Sequence, residues 1–218
     1  MTAGIHLLPE LRRNIKMGMV PPQLVGVFLK KGAVSMQSLK GHFLVATPEL
    51  GDPNFIRTVV LMIHHDEDGA FGVIVNRATN RSIKELWEHL MGRPCKASQP
   101  LHIGGPVSGP LMAIHTCAEL GELEVIPGLY FSAARDKLER LVDETEQRFR
   151  LFIGHSGWGK GQLERELREG AWLTLPATIE DVFSDETSLW RRLTYQVGRS
   201  IIHKALRLKT LPQEASLN

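Results

Sequence analysis

TVVLMIHH (Thr58–His65), DEDG (Asp66–Gly69) and AFGVIV (Ala70–Val75) follow one another directly and read as a single β-hairpin. The first and third pieces are apolar and rich in β-branched or aromatic residues. The link between them is polar, has hairpin length and closes on a glycine. Upstream, His42–Ala46 reads as another strand, stopped by Pro48 and the turn Gly51-Asp52-Pro53. Strands that arrive as hairpins pair antiparallel, so this stretch argues against a doubly wound parallel sheet.

The pattern further along is mixed. Ser82 and Glu85 form a capping box, and Ile83, Leu86, Trp87 and Leu90 share one face of the helix it opens, closed by Gly92 and Pro94. Leu101–Ile103 and Leu111–Cys117 read as strands on either side of Gly104–Pro110, and Leu129–Ser132 as a further short strand. A helix is expected from about Ala133 to Thr145, with Leu138, Leu141 and Val142 inward. Arg148–Ile153 reads as a strand and Gln162–Glu169 as a helix ending at Gly170. After Trp172–Leu175, a last helical region begins near Glu186, and Gly198 is expected to interrupt it. Hairpins with irregularly interspersed helices predict an α+β fold with a mainly antiparallel sheet flanked by helices.

With 218 residues, 43% of them hydrophobic, 23% charged and a net charge of +2, the chain is an ordinary globular sequence. That charge alone argues for neither nucleic acid nor membrane. Cys95 and Cys117 are the only cysteines, too few for a disulfide framework, and a reducing compartment follows. The longest apolar run, Met17–Leu29, is interrupted by Pro21 and Pro22 and falls short of the roughly 18–20 residues a membrane span needs. It follows Arg12, Arg13 and Lys16, but Lys30 and Lys31 stand where a signal cleavage region is neutral and small. Residues 1–35 carry a local charge of +4, leaving −2 for the remainder. They read as a flexible or misassigned leader, with residues 36–218 as one domain starting at Met36.

Gly154-His155-Ser156-Gly157-Trp158-Gly159-Lys160-Gly161 reads as a glycine-rich turn between a strand and a helix. Gly154, Gly159 and Lys160 match a phosphate loop, but Gly161 stands where the magnesium-binding Ser or Thr belongs. Gly154-x-Ser156 begins a nucleophile elbow, but Trp158 occupies the place of its closing glycine. Asp181 or Asp185 with His203 could complete a Ser156-dependent hydrolase, an alternative that stays open. The plain structural reading is that the glycines permit a close backbone approach, with Trp158 packed over the turn and Gln162 serving the helix start.

The blocks Leu39-x-Gly41-x-Phe43-Leu44-Val45-Ala46-Thr47-Pro48, Asp52-Pro53-x-Phe55, His64-His65 and Gly69-Ala70-x-Gly72-Val73-Ile74-Val75-Asn76 resemble the AlgH/YqgE family of bacterial proteins. Gly104-Gly105-Pro106-Val107, Gly157-Trp158-Gly159-x-Gly161-Gln162-Leu163-Glu164 and Trp172 complete the resemblance, which runs from about residue 37 to 197. Lys160 departs from the proline often found there. The resemblance implies an α/β sandwich, a cytoplasmic location, a link to regulation and no established enzymatic activity. It also implies a shallow apolar cleft for a protein partner or small ligand. The binding candidates are Pro48, Asp52, His65, Asn76, Gly104, Gly105, Pro106, Gly157, Trp158, Gly159, Gln162 and Trp172.

Three other constellations carry less. His64 and His65 are adjacent on a strand, point to opposite faces and make no natural metal pair. His115 and Cys117 share a strand face and read as a buried thiol beside a hydrogen-bonded histidine. Arg191, Arg192, Arg199, Lys204, Arg207 and Lys209 give the last helix a basic face suited to weak, nonspecific nucleic-acid binding. The reading that results is a non-catalytic binding or regulatory protein with no cofactor, metal, membrane or specific nucleic acid.

Overall fold

A computed structural model describes residues 38–144 and 146–209, with the side chains of residues 201 and 203–209 outside the description. The expected leader, residues 1–35, lies outside the described residues.

The first hairpin forms as its residues predict. Strand β1 (His42–Ala46) pairs antiparallel with β2 (Val59–Asp66), which turns into β3 (Gly69–Ile74). Side chains alternate along these strands between two apolar layers, as the two-residue period of a strand requires. Phe43, Val45, Val59, Leu61, Phe71 and Val73 enter one central cluster, whereas Leu44, Ala46, Val60, Met62, Ala70 and Ile74 enter another on the opposite face. Each Val, Leu, Ile, Phe or Met among them, fully buried, contributes about 1.5–3 kcal/mol.

Strand β4 (Ala78–Ser82) leads into helix α1 (Ile83–Met91), whose capping box between Ser82 and Glu85 is complete at both bonds. Then come β5 (Pro100–Ile103), β6 (Val107–His115), β7 (Leu123–Ile126), β8 (Leu129–Ser132) and helix α2 (Arg135–Asp143). The chain continues through β9 (Phe149–Gly159), helix α3 (Gln162–Arg168), β10 (Trp172–Pro176), the single turn α4 (Ile179–Val182) and the long helix α5 (Glu186–Lys209). The main strand order is β10-β1-β2-β3-β9-β6-β8-β7, and β4 joins the sheet through β5. Every pairing is antiparallel except β5 with β9. The sheet curls around the central cluster, to which β1, β2, β3, β6, β7, β8 and β9 all contribute. Helices α1 and α2 cover one outer face, and α3 with Trp158 and Trp172 covers the other. The α+β class with a mainly antiparallel sheet and flanking helices is therefore what the chain adopts.

Two expectations are corrected. Gly154–Gly161 is not a turn: strand β9 runs through Gly159, and only Lys160 and Gly161 turn before α3. Four of its residues, Ser156–Gly159, are paired with β3, so ladder hydrogen bonds outweigh the poor strand propensity of glycine. Gly198 does not interrupt α5, which continues to Lys209, since one glycine costs a helix only about 1 kcal/mol. In addition, β6 begins at Val107 and ends at His115, so Cys117 lies beyond the strand, before a 3-10 turn.

Helix α5 is fixed at its start by a buried charge cluster. Glu186 Oε1 lies 2.6 Å from His102 Nε2 and 3.2 Å from Arg150 Nη2. Arg150 also donates to the carbonyls of Val75 and Ser184. Burial works against the charged carboxylate of Glu186, but the bond from His102 and the charge of Arg150 hold it below the usual range.

Candidate functional site around two glycine-rich segments

Strands β5 and β6 lie on opposite edges of β9: Phe152 and Ile153 pair with His102 and Ile103 on one side and with Met112 and Leu111 on the other. The link between β5 and β6 must therefore step over β9, and it has only Gly104, Gly105 and Pro106 to do so. A Cβ on Gly104 would sit 2.3 Å from the Gly154 carbonyl oxygen, and one on Gly105 2.3 Å from the His155 carbonyl group. No side chain fits between backbones at that separation. Gly154 in turn takes φ +69, a left-handed conformation that glycine adopts without strain. The two glycine-rich segments are thus the two halves of one backbone crossing.

The polar atoms at the crossing are spent on it. Ser156 is fully buried, and its hydroxyl donates to the Gly104 carbonyl at 3.1 Å. The same carbonyl accepts from the Ile74 N–H at 2.8 Å. His155 is 3% exposed, and neither ring nitrogen has a hydrogen-bond partner among the described residues. Burial pushes this imidazole down from its ordinary range, so it is neutral. Asp185 caps the start of α5 through Thr187 and Ser188, and Asp181 is bound to Thr178 and Arg192. Each member of the hydrolase set whose side chain is described is therefore engaged elsewhere.

Beyond the crossing, β9 delivers Trp158 to the outer face beside Trp172, each 4% exposed. Their indole N–H groups donate to the same oxygen of Glu166, at 2.9 and 2.8 Å, and Gln162 donates to its other oxygen. The Gln162 side-chain carbonyl accepts from the N–H of Gly159, the last residue of β9, rather than from the free N–H groups of the helix start. Phe55 stacks on Trp158 with centroids 6.2 Å apart and meets Trp172 edge-on at 5.3 Å. The space over the two indoles is thus filled from within the chain.

His65 belongs to the same layer. Its Nδ1 accepts from the Leu39 N–H at 3.0 Å, so Nε2 carries the proton and donates to Glu164 at 2.7 Å. His64 instead contacts Asp66 at 3.1 Å, in keeping with opposite faces. Among the described residues, no group of three or more His, Cys, Asp or Glu side chains is arranged to hold a metal. His115 is buried and hydrogen-bonded to Ser132 at 3.0 Å, and Cys95 and Cys117 are free thiols.

The remaining candidates differ in exposure. Pro48, Asp52 and Pro106 are exposed, and Gly157 is half-buried in the β3 pairing. Asn76 acts as a backbone surrogate: its carbonyl accepts from the Val59 N–H at 2.8 Å and its amide donates to the Arg57 carbonyl at 3.0 Å. It thereby holds the loop from Asp52 to Arg57 against the end of β3, with Arg57 at φ 54. One residue escaped the sequence reading. Arg77, next to Asn76, donates from Nη1 to the Asn54 carbonyl at 2.8 Å. The signal was a cation three residues past the end of an apolar strand, which periodicity alone does not mark.

Comparison with known proteins agrees with this architecture. The family profile described as AlgH-like matches residues 43–202. A UPF0301 protein of Chlorobaculum tepidum is 38% identical over 165 residues, covering 72% of this chain and 86% of the relative. One from Streptomyces avermitilis is 36% identical over 211 residues, covering 86% and 99%. The solution structure of the AlgH protein from Pseudomonas aeruginosa superimposes with a TM-score of 0.61 at 30% identity, covering 85% of this chain and all of that one. The crystal structure of protein DIP2367 from Corynebacterium diphtheriae, at 23% identity, shares the fold with a TM-score of 0.55. The chain belongs to the AlgH-like family.

Proposed function

We propose that this protein is a non-catalytic binding or regulatory protein, and that its contact surface is the rim formed by the Asp52–Arg57 loop and the ends of β3 and β5. One observation carries this reading: Ser156, the residue best placed in sequence to be a nucleophile, is wholly buried and donates its proton to Gly104. A nucleophile must expose its oxygen and have a base within hydrogen-bond reach, and its neighbour His155 has no hydrogen-bond partner. The rim, in contrast, leaves Ile56 50% exposed. Of the shallow apolar cleft that the family resemblance implies, this reading takes the surface beside Phe55. The reading includes a cytoplasmic location, which two free cysteines support. No helix among the described residues is long and apolar enough to cross a membrane.

Fluorophosphonate labelling tests the proposal. The expected result is no adduct on the folded protein. An adduct that disappears in Ser156→Ala would establish a serine hydrolase and overturn it.

A further inference from the structure

We infer that Arg77 anchors a binding site for a small carboxylate with an apolar body, on the face that Arg77 shares with Ile103, edged by Ile56. This rests on the binding-protein reading above and gives it a ligand class.

The placement follows from backbone bonds. The Ile103 N–H donates to the Arg77 carbonyl at 3.0 Å, and Ala78 pairs with His102 in the antiparallel β4–β5 ladder. Extending that register by one residue sets Arg77 opposite Ile103, so the two side chains lie on one face of the sheet. His102 points inward to Glu186, and its neighbour Ile103 points outward, where it is 37% exposed. Ile153, half-buried, pairs with Ile103 in β9 and continues the apolar face. On the other side, Arg77 bonds to the Asn54 carbonyl and Asn76 to the Arg57 carbonyl, so the segment that carries the exposed Ile56 is tied at both ends to this pair.

The chemistry follows from what Arg77 lacks. It is half-buried, yet no carboxylate among the described residues forms an ion pair with it. Burial lowers its guanidinium from the ordinary value, and no acid works in the other direction. Arg150, the other desolvated arginine, has Glu186. A charge removed from water without a partner costs free energy that a bound anion would recover. With Nη1 committed to Asn54, the Nε–Nη2 edge keeps two parallel donors, the fork that matches one carboxylate. A lone guanidinium balances one negative charge, which favours a carboxylate over a phosphate dianion. The flanking isoleucines require the remainder of the ligand to be apolar.

The test is a titration of the full chain with sodium hexanoate, hexan-1-ol and inorganic phosphate, followed by isoleucine-methyl and arginine Nε NMR. Hexanoate is expected to shift Ile56, Ile103 and the Arg77 Nε–H saturably, whereas hexanol and phosphate leave them in place. Arg77→Gln should weaken the hexanoate response about tenfold, and Arg77→Lys, which keeps the charge but loses the fork, should also weaken it. Equal responses to hexanoate and hexanol, a stronger response to phosphate, or shifts that survive Arg77→Gln in a protein with an otherwise unchanged spectrum would each overturn the site. So would an absence of any response in the unmodified chain. These outcomes do not touch Ser156, so failure here is distinguishable from the labelling result that would make the protein a hydrolase.

Discussion

The backbone crossing and the rim of the Asp52–Arg57 loop are joined by Ile103, and they treat polar groups in opposite ways. At the crossing, glycines remove side chains, Ser156 bonds inward and His155 is walled off from water. At the rim, Asn76 satisfies two backbone groups, while Arg77 keeps most of its donors for something else. The residues that mark the family most clearly in sequence are therefore those with the least spare chemistry. A motif can be demanding because backbones touch there, and the place to seek a ligand is then the adjoining surface.

Gly105→Ala should strain this contrast hardest. Its Cβ meets backbone atoms that cannot rotate away, and Gly105 has φ +155, so a loss of about 3–5 kcal/mol is expected in urea unfolding. A loss below about 1 kcal/mol would show that the two backbones separate readily.

An intermediate effect is expected from pH. Burial depresses His155 and pushes His115 down to about 4, below the value of 6.5 that the unfolded chain takes. Protons then bind the unfolded chain first. Stability is complete above about pH 6.5 and falls as pH drops toward 4, levelling once the folded groups also protonate. His155→Leu should flatten part of that slope, as read from urea midpoints between pH 7 and 4.5. An unchanged slope would mean that His155 takes up a proton as readily in the folded protein as in the unfolded chain.

Arg77→Gln should have the smallest effect on folding. It gives up one hydrogen bond to Asn54, worth about 1 kcal/mol, and relieves the desolvation of an unpaired charge. A loss of several kcal/mol would place Arg77 with the crossing rather than with the rim, as a structural brace.

Local rules made much of the framework legible. The DEDG link, the Ser82–Glu85 box and the inward faces of α1 and α2 all depend on residues a few positions apart, and all form as read. Strands β4 and β7 and the turn α4, of four or five residues each, were not anticipated. The larger miss was Gly154–Gly159, because glycine signals a turn when only its neighbours in sequence are considered. What makes this segment a strand is its ladder with Gly69–Gly72 of β3, far earlier in the chain. Of the candidate site, the glycines, Asn76 and the two tryptophans could be picked out from the sequence. Their assembly could not, since Glu166, which takes both indole protons, sits in an ordinary helical charge pattern.

The step over β9 also dictates an order of events. Gly104–Pro106 is made before β9, yet β9 passes beneath it, with β5 and β6 on either side. Those two strands are held apart by a guest that leaves the ribosome later. Until β9 arrives, the gap between them presents two unpaired edges, the kind of surface on which chains aggregate. The final strand insertion must bring together residues far apart in sequence, which slows folding. A newly made chain that stalls before Phe149 would thus expose β5 and β6 as open edges, and the hazard closes only when β9 slides home.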